Sequence, residues 1–216
     1  LTIIILISVI VFYSNSTFNE KTTSAIKENS ILVINFSETK IVERKSEKPF
    51  ENLNPSKSDQ KSMELKKILD NIEKAKDDKN IKAIYLNSSI TSGGISQIEE
   101  IRNKLLEFKQ TGKQIISYAE VYSQSAYYLA SVANKIFLNP QGGVELKGFS
   151  ASIMFYKDLF DKLDIDVQII RHGKFKSAVE PFMLNKMSVE NREQIKLLLN
   201  SFSNNLMDSI ANQRNI

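Results

Sequence analysis

The stretch IKAIYLNSSITSGGISQIEEIRNKLLEFKQTGKQIISYA, Ile81 to Ala119, decides the fold. Ile81–Asn87 is a short apolar run rich in β-formers, which reads as a buried strand. Ser88–Gly94 is all turn chemistry apart from Ile90. Ile95, Ile98, Ile101, Leu105 and Phe108 then fall on one face of a helix that ends near Gly112. Lys113–Ala119 is apolar again and reads as the next strand. Strand, turn, helix and strand at this spacing make a βαβ unit, whose two strands must run parallel.

The same alternation extends in both directions. Toward the carboxyl end, Ser123–Ala133 reads as a tightly packed helix and Asn134–Pro140 as a strand. A glycine-punctuated loop follows, then a helix near 154–163 carrying Leu159, Phe160 and Leu163 on one face. Ile165–Arg171 reads as a further strand. The last helix opens at Ser188, a good N-cap with Glu190 in its first turn. Ile195, Leu198, Leu199, Phe202, Leu206 and Ile210 run down one side of it. That length invites a cover role over a partner subunit or over further chain. Toward the amino end, Leu65, Ile68, Leu69, Ile72 and Ala75 mark an amphipathic helix. Residues 44–62 are a charged, proline-bearing excursion, and Ser30–Ser37 is a strand with a weaker one at Ile41–Glu43. The expected class is α/β, with a mainly parallel sheet covered by helices on both faces.

Residues 1–13, Leu1 to Tyr13, are nearly all apolar. A bilayer-spanning helix needs roughly 20 such residues. We read the run as the distal end of an uncleaved transmembrane anchor, since no small-residue cleavage site follows. Residues 14–29 form a polar linker, which leaves 30–216 as the folded unit.

Composition excludes several chemistries. Hydrophobic residues make up 42% of the 216, enough for a core. Lys plus Arg number 29 against 25 acidic residues, a mild excess. It is spread along the chain, without the basic stripe that grips nucleic acid. There is no cysteine and one histidine, His172. Thiolate or multi-histidine metal sites and cysteine nucleophiles within this chain are therefore ruled out. A single histidine leaves hydrolytic chemistry to His172 or to another base.

Candidate site residues come with ordinary alternatives. Gly93 and Gly94 stand between a strand and a helix, where backbone amides can hold an oxyanion; a plain turn explains them too. They lack dinucleotide-site spacing and a P-loop lysine, so no cofactor is expected. His172 reads as a loop residue, and Tyr127 and Tyr128 as core. Glu145 and Glu180 could support acid–base work, but nothing pairs them by spacing. Lys176 lies between Phe175 and a run of Ala178, Val179, Phe182 and Met183. A lysine becomes a general base only when desolvation lowers its pKa, and these neighbours could desolvate it. A solvated loop lysine is the plainer reading of the same residues.

The segment GKFKSAVEPF, Gly173–Phe182, closely resembles the lysine motif of the signal peptide peptidase A (protease IV) family. YYLASVANKIFLNPQGGVELKGFSAS, FYKDLFDKLDID and MSVENREQI are similar to the amino-terminal half of the long-form members. The resemblance runs from about Ile31 to Arg214. It implies a crotonase/ClpP-like fold of βα repeats and a Ser-Lys dyad shared between two tandem halves. The general base would be Lys176, and the serine would lie in a carboxy-terminal half. In YSQSAYYLAS, Tyr122–Ser131, Gln124 falls where the family's serine sits. Ser125 is one residue on, which on a helix turns its side chain about 100° away. This chain alone would then not cleave.

The resemblance further implies signal peptide remnants and other peptides as substrates. It implies a homo-oligomer, expected as a tetramer, and neither nucleic acid nor metal as partner. The location would be the cytoplasmic membrane, single-pass, with the catalytic domain on its outer side. Two other readings fit the same pattern: a crotonase-type acyl-CoA enzyme, and a membrane-tethered scaffold without chemistry.

Overall fold

The computed structural model describes residues 25–37, 39–44, 61–170, 172–173 and 176–216. The anchor run 1–13, most of the linker and most of the 44–62 excursion lie outside these residues. Among the described residues no helix is long and apolar enough to cross a membrane.

The main sheet has four parallel strands, β1 (Ser30–Ile34), β4 (Ile81–Asn87), β5 (Gln114–Ala119) and β6 (Lys135–Leu138), in that spatial order. Val33 pairs with Tyr85, Tyr85 with Ile116, and Tyr118 with Phe137. Helices α1 (Leu65–Asp77), α2 (Ile95–Gln110) and α3 (Gln124–Ala130) make the crossovers. Their buried faces join Ile84, Leu86 and Ile115 in one cluster. Ile72, Ile101, Leu105 and Phe108 at its centre are solvent-free. Each such side chain contributes about 1.5–3 kcal/mol on burial.

Coverage on both faces is not what forms. The strands are added in one direction only, and right-handed crossovers running one way put every helix on the same side. Double winding needs the strand order to reverse, and it does not. The opposite face therefore leaves Ile31, Val33 and Phe137 exposed, Val33 at 60%.

Two further expectations are corrected. The excursion ends earlier than expected, because Lys61–Glu64 forms strand β3, parallel to β2 (Thr39–Val42). Three of its four residues, Lys61, Ser62 and Glu64, are polar, so it gave no apolar signal. Ile165–Arg171 is not a strand over its described part: residues 165–170 pair with no described strand, and Ile170 is 92% exposed. Apolar residues alone do not make a strand without a neighbouring edge to hydrogen-bond.

The carboxy-terminal region has little core of its own. It comprises α4 (Lys157–Lys162), a 3₁₀ turn at Ser177–Val179 running into α5 (Glu180–Met183), and α6 (Val189–Arg214). Ser188 caps α6 as expected, its hydroxyl accepting the Asn191 N–H at 3.1 Å. The far end is tied to the main cluster through Ile210 and through Arg102. Arg102 is buried beneath α6, donating to the carbonyls of Ser209 at 2.7 Å and Tyr128 at 3.3 Å. Its guanidinium also sits 4.8 Å from the Tyr128 ring centre.

Candidate active site

Parallel strands put their following loops on one edge of the sheet, which is where α/β proteins bind ligands. Two such loops meet here. The turn after β4 carries Gly93 and Gly94, and the loop after β5 leads through Tyr122 and Ser123 into α3. Ser123 N–H donates to the Ser89 carbonyl at 2.9 Å, and Ser125 Oγ donates to the Thr91 carbonyl at 3.2 Å. The glycine turn and the amino end of α3, far apart in sequence, are thus hydrogen-bonded neighbours.

The glycine turn is tightly braced. Ile41 N–H donates to the Ser92 carbonyl at 2.8 Å. A Cβ on Gly93 would lie 3.1 Å from the Ile41 side chain, so glycine here relieves a close approach by β2. Gly94 N–H is already bonded to Gln97 Oε1 at 2.9 Å, and Gln97 Nε2 reaches Glu43 at 2.7 Å. That bond caps α2 and occupies one of the two amides considered for an oxyanion. Thr91, buried in the same turn, was not singled out from the sequence. Its Oγ1 has no hydrogen-bond partner among the described residues.

At α3, Ser123 is the N-cap and Gln124 the first helical residue. Gln124 reaches the glycine-punctuated loop: Gly148 N–H donates to its Oε1 at 2.8 Å, and its Nε2 donates to the Gly148 carbonyl at 3.3 Å. Beneath lies Tyr122, fully buried, with its hydroxyl 2.9 Å from Ser117 Oγ. Burial pushes its phenol pKa up, partly offset by the Ser117 hydrogen bond. A small apolar cleft of about 70 Å³ opens beside Gln124 and Ser125, walled by Ile95, Tyr128, Phe149 and Phe202.

Lys176 stands elsewhere. It precedes the 3₁₀ turn at Ser177–Val179 and is exposed, as is His172. Ala178 is exposed and Phe182 41% exposed, so within this chain the apolar neighbours do not cover the lysine. Among the described residues Lys176 makes no hydrogen bond or ion pair, and none joins it to Gly93, Gly94 or α3. Among the described residues, α6 links its surroundings to the cleft. The α5 residue Glu180 bonds Ser188 at one end of that helix, and Phe202 lines the cleft. Roughly 20 Å of helix separates Ser188 from Phe202, at about 1.5 Å per residue. The structure therefore joins the glycine turn to α3 and leaves the lysine apart from both.

Among the described residues no group of acidic or histidine side chains could hold a metal ion.

The profile of peptidase family S49 matches residues 107–216. The chain belongs to peptidase family S49. Relatives agree with that placement. This S49 chain is 40% identical to Protease 4 of Salmonella typhi over 69% of its own length and 24% of that protein. It is 39% identical to Protease 4 of Haemophilus influenzae over 67% of its length and 24% of the relative. It is also 32% identical to the chloroplastic serine protease SPPA of Arabidopsis thaliana, over 69% of the chain and 22% of that protein. The chain spans about a quarter of the length of the curated relatives it matches. A solved structure from Acinetobacter baumannii described as an enoyl-CoA hydratase/isomerase aligns with 70% of this chain and 82% of its own. At a TM-score of 0.32 and 12% identity it carries no argument about fold or function.

Proposed function

We propose that this S49 chain is the lysine-bearing part of a membrane-anchored serine endopeptidase that degrades released signal peptides. Lys176 is its general base, and the nucleophilic serine comes from another part of the full protein. The observation that carries this reading is the pairing of an open lysine with a serine position already filled. Lys176 is exposed and unbonded, while Gln124 holds Gly148 by two hydrogen bonds. The α3 end therefore offers no free nucleophile at that place, and the lysine is open to an incoming one.

In this mechanism the docked surface strips water from the Lys176 amine. The amine takes the proton from the serine hydroxyl, and the alkoxide oxygen attacks the scissile carbonyl carbon. Backbone amides from the part that brings the serine hold the oxyanion, since the Gly93–Gly94 turn stands apart from Lys176 in this chain and Gly94 N–H is engaged. The Lys176 ammonium then gives its proton to the leaving amine as the C–N bond breaks. Neutral Lys176 then takes a proton from water as its oxygen attacks the acyl carbon, and the ammonium returns that proton to the serine oxygen as the ester C–O bond breaks. The apolar run at residues 1–13 would hold the molecule at the cytoplasmic membrane with this domain outside, assembled as a homo-oligomer. An apolar cleft suits substrates of that composition.

The test is Lys176→Ala in the full-length protein. Hydrolysis of an apolar peptide should vanish while assembly, read by light scattering, is unchanged. Retained hydrolysis overturns the assignment.

A further inference from the structure

Past Ala133 the described residues bury only Glu180, Asn191 and Ile210. Two of these are polar, and they bond each other. The Glu180 carboxylate accepts Asn191 Nδ2 at 2.8 Å, the Ser188 hydroxyl at 2.5 Å and the Ser188 N–H at 3.2 Å. Glu180 is 1% exposed. A carboxylate so enclosed is kept only where protein donors replace its water. Capping α6 does not require it, because the Ser188 hydroxyl already accepts the Asn191 N–H.

What Glu180 adds is a connection. Lys176 opens the 3₁₀ turn Ser177–Val179, and that turn passes without a break into α5, where Glu180 is the first residue. The carboxylate therefore fastens the lysine turn to the amino end of the longest helix in the structure. A second fastening lies on the other side. Tyr156 N–H donates to the Pro181 carbonyl at 2.7 Å, and Phe182 stacks on Tyr156 and Phe160 with ring centres 6.0 and 6.2 Å away. Around these anchors the turn is open to solvent.

We propose that Glu180 is a positioning residue for Lys176: its buried carboxylate locks the turn that carries the amine onto α6. The proposal rests on the reading of Lys176 as general base. A base must stand within hydrogen-bond reach of the proton it takes. A displacement of about 1 Å can cost about a hundredfold in rate. An exposed lysine on a short turn meets that demand only if the turn is held in place, and Glu180, the residue directly after it, is bonded to Ser188 and Asn191. Ser188 and Asn191 are the other end of the same tie.

The experiment uses the full-length protein and compares Glu180→Gln, Ser188→Ala and Asn191→Ala with Lys176→Ala. Melting curves by circular dichroism establish which variants are folded at the assay temperature. In the folded ones we expect kcat to fall about tenfold to a hundredfold with KM little changed. The Glu180→Gln, Asn191→Ala double variant should be no slower than the worse single, since both cut one tie. A role in folding alone predicts lower melting temperatures with unchanged kcat in the folded molecules, and that result overturns the proposal. So does the failure of all three variants to fold. If Lys176→Ala itself retains hydrolysis, the general-base reading fails first. If Lys176→Ala is inactive and a folded Glu180→Gln keeps full kcat, only the positioning role is lost.

Discussion

Gln124 and Gly148 are joined by two hydrogen bonds, the glycine N–H to Oε1 at 2.8 Å and Nε2 to the glycine carbonyl at 3.3 Å. The Gln124 side chain is thus a strut between α3 and the glycine-punctuated loop. Gln124→Ser removes both bonds. We expect a loss of about 1–2 kcal/mol, read from urea unfolding, and unchanged kcat in the full-length protein. A gain of hydrolysis by this chain assayed alone would show that α3 carries a latent nucleophile position. The reading of Lys176 as base for a serine elsewhere would then be wrong.

Arg102 links three helices, with its guanidinium under α6 and over the Tyr128 ring. Burial lowers its pKa from the usual value. Arg102→Met keeps the stem but leaves the Ser209 carbonyl without this donor. A cost of about 1–3 kcal/mol follows, or a fall of several degrees in Tm for a chain of this size. Hydrogen exchange should locate the loss in the last turns of α6. Uniform loss across α1 and the sheet would contradict the link. Arg102→Lys should recover little, because an ammonium cannot reach both carbonyls in that planar geometry.

Gly142 sits where a side chain has no room: a Cβ would lie 1.7 Å from the Glu120 carbonyl oxygen. The neighbouring backbone positions Tyr122, whose N–H donates to the Gly143 carbonyl and whose carbonyl accepts Glu145 N–H. Gly142→Ala must push this loop off the α3 entrance, at about 1–3 kcal/mol. Thermal melting and a structure of the variant would check it. An unshifted loop at unchanged Tm would refute the crowding.

Glu73 receives Lys76 and, at 3.0 Å, Lys104, which ties α1 to α2. Those two hydrogen bonds, Lys76 first, hold its carboxyl below the ordinary value of 4.5. A depressed folded-state pKa means stabilisation that is present in full above the unfolded value. It is lost as pH falls through the folded one. The stability difference between wild type and Glu73→Gln should therefore be constant from neutral pH down to about 4.5 and close below it. Salt at about 1 M should shrink it, since both partners face solvent. A difference that widens in acid would exclude the pairing.

Much of this architecture was legible because it is local. Strands β1, β4, β5 and β6 and helices α1, α2 and α6 announce themselves by apolar period. Residues 165–170 carry the same apolar signal yet pair with no described strand, and β3 pairs with almost no apolar signal. Strand formation depends on a free edge in reach, which no window of sequence contains.

By itself the sequence determined the βα order, the exclusion of cysteine chemistry within this chain, and the lysine motif, because these are properties of residue identity and of helical or strand period. The tertiary structure decided which sheet face stays bare, since that follows from the direction in which strands are added. It also decided that Ser123 and Ser125 bond the turn carrying Gly93 and Gly94, and that Glu180 is buried against Ser188 and Asn191. Contacts between distant positions come from chain path, and a carboxylate's surroundings come from whatever that path brings to it.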